Sequence, residues 1–221
     1  MADGDLELEV MKMNAIDPFF RDVTNVTNHR ILLRLALALT EGSSHPVLAM
    51  GIDPETTRLL HDYCEERGRP LVSLEEDIFA VMRLRQMESR RHEVICAAWE
   101  VAPIEARGPW SVAVMNHAPG ERRKDDAKRL LGRAEVVVLH DTEPNADMGY
   151  QFSTIWPRWR WKADVKTDGA WASAVSNDRD LSAWRGFRVG TYVVTMGDEE
   201  TAADEVAATV SRMFEERCED L

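Results

Sequence analysis

The sequence has few cysteines and no long hydrophobic run. Cysteine occurs three times in 221 residues, too sparsely for a disulfide framework or a zinc pattern. We expect Cys96 to be buried, because it lies in the apolar run 94–98. No apolar run approaches the length of a membrane span, and the acidic N-terminus has no hydrophobic signal region. The sequence therefore predicts a cytoplasmic protein that does not bind a membrane.

Basic residues are outnumbered by acidic ones. The chain has 27 Lys and Arg against 39 Asp and Glu, a formal net charge of -12. An acidic surface repels phosphate backbones, so we expect no nucleic-acid partner. The stretch 156–162, in which tryptophans alternate with basic residues, is the one candidate for a local basic patch. A strand with one aromatic and one charged face is the favoured interpretation of that stretch.

The composition is that of a globular protein, with 44% hydrophobic and 30% charged residues. Short apolar runs alternate with amphipathic segments from residue 46 to residue 139. The predicted strands are 46–50, 71–74, 92–97, 110–115 and 134–139, and the predicted helices are 54–67, 77–90 and 121–131. This alternation predicts an α/β fold, a Rossmann-like three-layer α/β/α sandwich with a mostly parallel sheet. The segments 159–165, 171–175 and 187–194 predict antiparallel strands at its C-terminal side, the first of them exposed.

Both ends of the chain are predicted to be helical, at residues 6–14 and 197–221. An apolar helix begins at Thr27 and is closed by Gly42, and it packs either on a sheet face or on a partner chain. We divide the chain into an N-terminal helical segment, 1–44, packed on a Rossmann-like domain, 45–221. With no internal repeat and no low-complexity linker, these form a single domain.

The carboxyl ends of parallel strands share one edge of a sheet, where ligands bind. Gly51 follows the first strand and allows the backbone to turn sharply and approach a ligand. Asp53 is the candidate N-cap of the next helix, so the loop is alternatively a simple strand-to-helix turn. Glu75 ends the second strand, where a carboxylate can accept hydrogen bonds from a ribose diol.

Two more loops at this edge carry groups suited to proton transfer. His117 is a candidate general base, because the ordinary pKa of histidine lies near neutrality, or else a loop histidine bonded to the backbone. His140 and Asp141 follow the strongly β-branched fifth strand. A metal site formed by these three residues and Glu143 is a further alternative. It lacks a diagnostic spacing, so an acid–base role is favoured.

Three segments, 71–75, 116–123 and 138–143, occur in an order that resembles a little-characterised group of class I S-adenosylmethionine-dependent methyltransferase-like proteins. Trp171 and the segment 175–177 extend the resemblance, which covers roughly residues 45–178. The strings His-Ala-Pro-Gly-Glu-Arg-Arg and His-Asp-Thr-Glu are its most specific parts.

This resemblance implies a Rossmann-like sheet, S-adenosylmethionine in the cleft, and O-methylation of a small-molecule or sugar acceptor. The residue that removes a proton from the acceptor would correspond to His117, His140 or Asp141. The acidic residue that binds the ribose would correspond to Glu75, and the cofactor would lie over the loop from Gly51 to Thr57. The implied cofactor-binding residues are Gly51, Asp53, Thr56, Thr57, Glu75 and Asn116.

The sequence departs from that group at two places. Ala49 stands where an acid is usual and Asp53-Pro54 replaces flexible glycine, while Asn116 stands where Asp is usual. Asp53 would bring a negative charge near the methionine carboxylate, which is unfavourable unless it is offset. Two alternatives follow, a methyltransferase-like binding or scaffold protein that forms a homo-oligomer, and a metal-assisted enzyme on the same fold.

Overall fold

The computed structural model describes residues 28–166, 170–189 and 192–197. The helices are α1 (Asn28–Leu39), α2 (Pro54–Arg67), α3 (Ile78–Leu84), α4 (Ile104–Arg107), α5 (Arg123–Arg129) and α6 (Asp147–Tyr150). The strands are β1 (Val47–Met50), β2 (Leu71–Glu75), β3 (His92–Cys96), β4 (Trp110–Met115), β5 (Ala134–His140), β6 (Trp161–Val165), β7 (Ala172–Ser176), β8 (Arg188–Val189) and β9 (Tyr192–Met196). The helices predicted at 6–14 and beyond residue 197 lie outside the described residues.

The strands form one sheet in the order β3-β2-β1-β4-β5-β7-β6-β9-β8. The five strands from β3 to β5 run parallel, and the remaining neighbours pair antiparallel. The predicted Rossmann-like fold, with a parallel sheet and antiparallel C-terminal strands, is thereby confirmed. Strand order reverses between β1 and β4, so a crevice opens beyond Met50, the site at which such sheets bind ligands.

One face of the sheet is covered by α1 and α2. The side chains of Ile31, Leu32 and Leu37 are at most 1% exposed and belong to a core with Leu60 and Tyr63 of α2. The apolar helix α1 is therefore part of the domain core, which decides against the interpretation of that helix as a surface for a partner chain. In the described part of the chain no helix is long and apolar enough to cross a bilayer.

The opposite face is covered by α4, α5 and the 3₁₀ turns that follow α6. Trp99, Trp110 and Phe152 are fully buried there against alternate residues of the central strands. Helices on both faces complete the three layers. Because strands buried on both sides need apolar residues on both faces, residues 112–115 of β4 and 136–139 of β5 are continuous apolar runs.

The helix predicted at 77–90 is shorter than expected. It ends at Leu84 and continues only as a 3₁₀ turn over residues 85–87. The next residues cover the outer edge of β3, since Glu88 accepts a hydrogen bond from the amide of Val94 and Ser89 Oγ accepts one from the amide of His92. Capping an exposed strand edge takes precedence here over extending the helix.

Three other local predictions were wrong. Strand 187–194 is instead divided between β8 and β9. Strand β6 is not exposed, because β9 pairs with its outer side and buries Ala163 and Asp164. Cys96 is exposed, because β3 is the outermost strand and is covered by fewer elements than the central strands.

Candidate functional site

A cavity of about 390 Å³ lies at the carboxyl ends of β1, β2 and β4. Its volume is within the range of about 300–1,000 Å³ that is typical of small-molecule sites. Its lining residues are Gly51, Glu75, Glu76, Asp77, Ala80, Asn116, His117 and Ala118. Three of the sequence-predicted cofactor residues, Gly51, Glu75 and Asn116, are thus brought together at one cavity. Three carboxylates on one wall make it favourable for a cationic ligand.

Gly51 adopts a left-handed conformation with φ of +59°. A Cβ atom at this position would lie 2.4 Å from the Cα atom of His117. Glycine is required here because the loops after β1 and β4 approach each other closely. The predicted sharp turn is confirmed, and the group that approaches Gly51 is the backbone of the neighbouring loop. The approach of this turn to a ligand stays a prediction.

Asp53 caps α2 and is itself neutralised by a cation from α1. Its carboxylate accepts hydrogen bonds from the amide and the hydroxyl of Thr56 at 2.8 and 2.6 Å, and from Arg30 Nη2 at 3.2 Å. Burial raises the pKa of Asp53, but the Thr56 hydrogen bonds and the charge of Arg30 outweigh burial and hold that pKa below its ordinary value. Arg30 therefore offsets the negative charge of Asp53, which the sequence analysis considered unfavourable near the methionine carboxylate.

The two threonines of this loop lie beneath it. Thr56 and Thr57 are at most 1% exposed, and Thr57 Oγ1 donates to the carbonyl oxygen of Asp53 at 3.0 Å. Thr56 Oγ1 also accepts a hydrogen bond from Arg30 Nε at 2.8 Å. Both hydroxyls therefore stabilise the loop from inside, while the cavity wall is formed by other residues.

The carboxylate of Glu75 is oriented by the start of its own loop. Its Oε1 atom accepts hydrogen bonds from the amides of Glu76 and Asp77 at 2.8 and 3.0 Å. Asp77 in turn caps α3 by accepting from the amide of Phe79 at 2.9 Å. These contacts hold Glu75 at the cavity wall, at the carboxyl end of β2.

The imidazole of His117 is fully enclosed. Its Nε2 atom lies 3.2 Å from Asp126 Oδ2, both side chains are 0% exposed, and its ring stacks on Trp99 with 4.3 Å between centroids. Trp99 Nε1 donates to the carbonyl oxygen of Ala118 at 2.8 Å. The backbone of His117 lines the cavity, whereas its imidazole is engaged in packing that orients the loop after β4.

His140 and Asp141 form a close pair at the end of β5. His140 Nδ1 lies 2.7 Å from Asp141 Oδ1, and both side chains are partly exposed. Asp141 Oδ2 accepts a hydrogen bond from Arg123 Nη1 at 2.8 Å. Burial raises the pKa of Asp141, but the contacts with His140 and Arg123 prevail and lower it to about 2. Of the predicted acid–base residues, these two are brought together, and His117 belongs to a separate cluster.

Arg123 connects the loops after β4 and β5. Its guanidinium donates to the carbonyl oxygens of Asn116, His117 and His140 at 3.2, 2.7 and 3.1 Å, in addition to Asp141. No pattern in the sequence indicated this role for Arg123. Its side chain is only 6% exposed, because the carbonyl groups that it binds come from loops brought together only by the sheet.

His29 was missed by the sequence analysis, which treated it as the start of an apolar helix. It is 4% exposed, and its ring centroid lies 4.9 Å from that of His140 with the ring planes at 88°. Burial, followed by the charge of His140, lowers the pKa of His29 to about 4. No periodicity or spacing in the sequence indicates this contact, because α1 and β5 are far apart along the chain.

The proposed metal ligands do not converge. Within the described ranges there is no group of three or more His, Cys, Asp or Glu side chains arranged to hold a metal ion. His117 is directed to Asp126 and His140 to Asp141. Of the chemistries considered from the sequence, the arrangement at β5 suits proton transfer best.

Comparison with known proteins gives the fold. No family model matches the chain, and a search of curated sequences finds no match. Among solved structures, cofactor-bound Rv0187 from MTB is 17% identical with a TM-score of 0.52, over 80% of this chain and 92% of that one. An O-methyltransferase from Bacillus cereus in complex with SAH is 14% identical with a TM-score of 0.50, over 80% and 92%.

The METTL16 MTase domain is 12% identical with a TM-score of 0.54, over 81% of this chain and 83% of its own. At such identities the likeness concerns the fold alone. The chain therefore has the class I methyltransferase type of Rossmann-like fold.

Proposed function

We propose that this chain is an S-adenosylmethionine-dependent methyltransferase that O-methylates a small-molecule or sugar acceptor. The observation that carries the proposal is the acid-lined cavity at the switch point of a methyltransferase-type sheet. The cofactor bound to solved structures of the same fold, SAH in the Bacillus cereus O-methyltransferase, supports it.

The charges around the cavity fit this cofactor. S-adenosylmethionine carries a sulfonium and an ammonium group, and the cavity wall bears Glu75, Glu76 and Asp77. A phosphate-bearing cofactor would be repelled by the same three carboxylates, and the loop after β1 offers one glycine rather than a glycine-rich cradle. Arg30 pairs with Asp53 in that loop and offsets its negative charge.

The residue roles follow from these positions. Glu75 would hold the ribose, and Gly51 and Asn116 would contact the remainder of the cofactor. Asp53, Thr56 and Thr57 would act indirectly, by stabilising the loop after β1. When bound, the sulfonium supplies an activated methyl group, so the protein contributes mainly orientation and proton removal.

His140, oriented by Asp141, is the proposed general base for the acceptor hydroxyl. It is partly exposed at the strand edge that carries the cavity, and its neighbour Asp141 carries a negative charge that balances a protonated imidazole. His117 keeps a supporting role in this scheme, because its imidazole is enclosed by Trp99 and Asp126.

Calorimetric titration with S-adenosylmethionine and S-adenosylhomocysteine tests the proposal. We expect micromolar binding by the native chain and about tenfold weaker binding by Glu75→Gln, since a carboxylate–ribose hydrogen bond contributes on the order of 1.5 kcal/mol. Glu66→Gln, an exposed site on α2, is the matched control and should bind like the native chain. A folded native chain that binds neither ligand at millimolar concentration would favour the non-catalytic scaffold instead.

A further inference from the structure

The first turn of α1 reaches the strand edge that carries the proposed site. His29 Nε2 lies 3.4 Å from Thr56 Oγ1 and 3.9 Å from Asp53 Oδ2, in the loop after β1. The same imidazole meets His140, at the end of β5, edge to face. A single side chain therefore contacts both the loop assigned to the cofactor and the residue assigned to the acceptor.

The proximity of His140 to Asp141 favours one ring nitrogen as the site of the proton. His140 Nδ1 lies 2.7 Å from Asp141 Oδ1 without the geometry of a hydrogen bond, and the negative charge of a carboxylate at that distance favours the form in which Nδ1 carries the proton. In the neutral ring, Nε2 then carries the lone pair and is the basic atom. This is the arrangement that a carboxylate imposes on histidine in general-base catalysis.

Asp141, which makes this contact, has an unusual backbone conformation. Its φ of +56° lies in the left-handed region, which is unfavourable for most residues other than glycine. Strain of this kind persists when surrounding contacts hold it, and Arg123 supplies such a contact at Asp141 Oδ2. The pairing with His140 is therefore maintained at a conformational cost.

We propose that His29 is a positioning residue that holds His140 in the orientation in which Nδ1 faces Asp141 and Nε2 faces the acceptor hydroxyl. This inference rests on the proposed methyltransferase function. His140 Nε2 takes the hydroxyl proton while the acceptor oxygen bonds to the methyl carbon. The carbon–sulfur bond breaks, its electron pair stays on sulfur, and the imidazolium is balanced by Asp141.

The surroundings of His29 suit a positioning role. Its burial and the nearby charges of His140 and Arg30 keep it neutral at physiological pH, although Asp53 and Asp141 act in the opposite sense. A neutral ring neither competes for the proton nor adds a second positive charge beside the imidazolium. Its perpendicular contact restricts rotation of the His140 ring.

Histidine tautomers in the cofactor-free full chain give a readout that is independent of activity. Long-range ¹H–¹⁵N NMR spectra should show His140 as a single Nδ1–H tautomer in the native chain. His29→Ala should produce a mixture of His140 tautomers, and His29→Phe, which retains a ring at the contact, should restore the single form. His45→Gln, just before β1 at the opposite edge of the sheet, is the control and should leave the His140 signals unchanged.

Kinetics supply the second readout. We expect His29→Ala to lower kcat by about 10- to 100-fold, as misplacement of a reacting group does, and by a larger factor than it changes the Kd for S-adenosylmethionine, since His29 also contacts the loop after β1. His29→Phe should recover most of kcat. The proposal is overturned if His29→Ala keeps the single Nδ1–H tautomer of His140. If the methyltransferase proposal is wrong, the native chain will not bind the cofactor. The tautomer of His140 still tests the role of His29 in that case, because it is measured without cofactor.

Discussion

At the scale of single residues, two buried histidines make the stability of this domain sensitive to acid. His29 and His92 each have a pKa lowered to about 4, first by burial and then by the charge of a neighbouring histidine, His140 and His61 respectively. His92 also contacts Ser73 Oγ at 2.9 Å. Both imidazoles are therefore held neutral inside the fold.

Stability should fall as the pH is lowered from about 6.5 to about 4. In that window the unfolded chain binds protons at His29 and His92 that the folded chain does not bind, so the free energy of unfolding decreases with acidification. The upper bound is about 3 kcal/mol for each histidine. Urea unfolding over this pH range should show a smaller decrease for His92→Gln than for the native chain. Equal decreases would mean that His92 is not held neutral.

Gly51 allows a separate prediction, because Gly132 is a natural control. Both have positive φ, +59° and +64°, but nothing lies within 4 Å of a Cβ atom built at Gly132. Gly132→Ala should cost about 1–2 kcal/mol from backbone strain alone. Gly51→Ala should cost about 1–3 kcal/mol more, because the loop after β4 must move. Urea unfolding of both variants measures the difference, and equal costs would contradict the close approach.

At the scale of secondary-structure elements, the loops after β4 and β5 are joined by one side chain. Arg123 makes four hydrogen bonds to them, and a lysine cannot reproduce that planar set of donors. The orientation of the proposed acceptor edge therefore depends on the first residue of α5.

We expect Arg123→Lys to destabilise the fold by about 2 kcal/mol, because buried carbonyl oxygens lose donors. The same change should lower methyl-transfer activity by more than the fraction of chain that it unfolds. Arg133→Lys, at an exposed site with a single contact to the Glu105 carbonyl, is the control. Similar unfolding midpoints for the two variants in urea would show that Arg123 does not hold the loops together.

Element boundaries could be read from the sequence where a local residue determines them. Asp53 and Pro54 begin α2, and Gly68, with φ of +68°, ends it. The early end of α3 could not be predicted in this way. It depends on the pairing of residues 88–89 with the edge of β3, which is a contact between elements.

At the scale of the whole molecule, the net charge is -12. Because an acidic surface repels phosphate backbones, we still predict that the protein has no nucleic-acid partner. The cations of the stretch 156–162 are partly used within the domain. Lys162 pairs with buried Asp164 at 2.6 Å and lies 5.0 Å from the Trp156 ring, and Arg160 lies over Trp161 at 5.4 Å.

Single-stranded RNA should therefore bind no more tightly than about 10⁻⁴ M at physiological salt, the weak end of non-specific affinity. Fluorescence anisotropy with a labelled oligonucleotide measures this. Micromolar binding that weakens as salt is raised, and that is lost in Arg158→Ala/Arg160→Ala, would contradict the prediction and make the stretch 156–162 a nucleic-acid surface.

The sequence by itself determined the alternation of strands and helices, the parallel sheet and the edge at which Gly51, Glu75 and Asn116 meet. These features depend on local periodicity and on the common direction of parallel strands. Only the tertiary structure decided that the imidazole of His117 is enclosed, that Arg30 offsets the charge of Asp53, and that the ring of His29 contacts the ring of His140. Those outcomes depend on contacts between residues distant in the chain, where burial and neighbouring charge set the properties of each group.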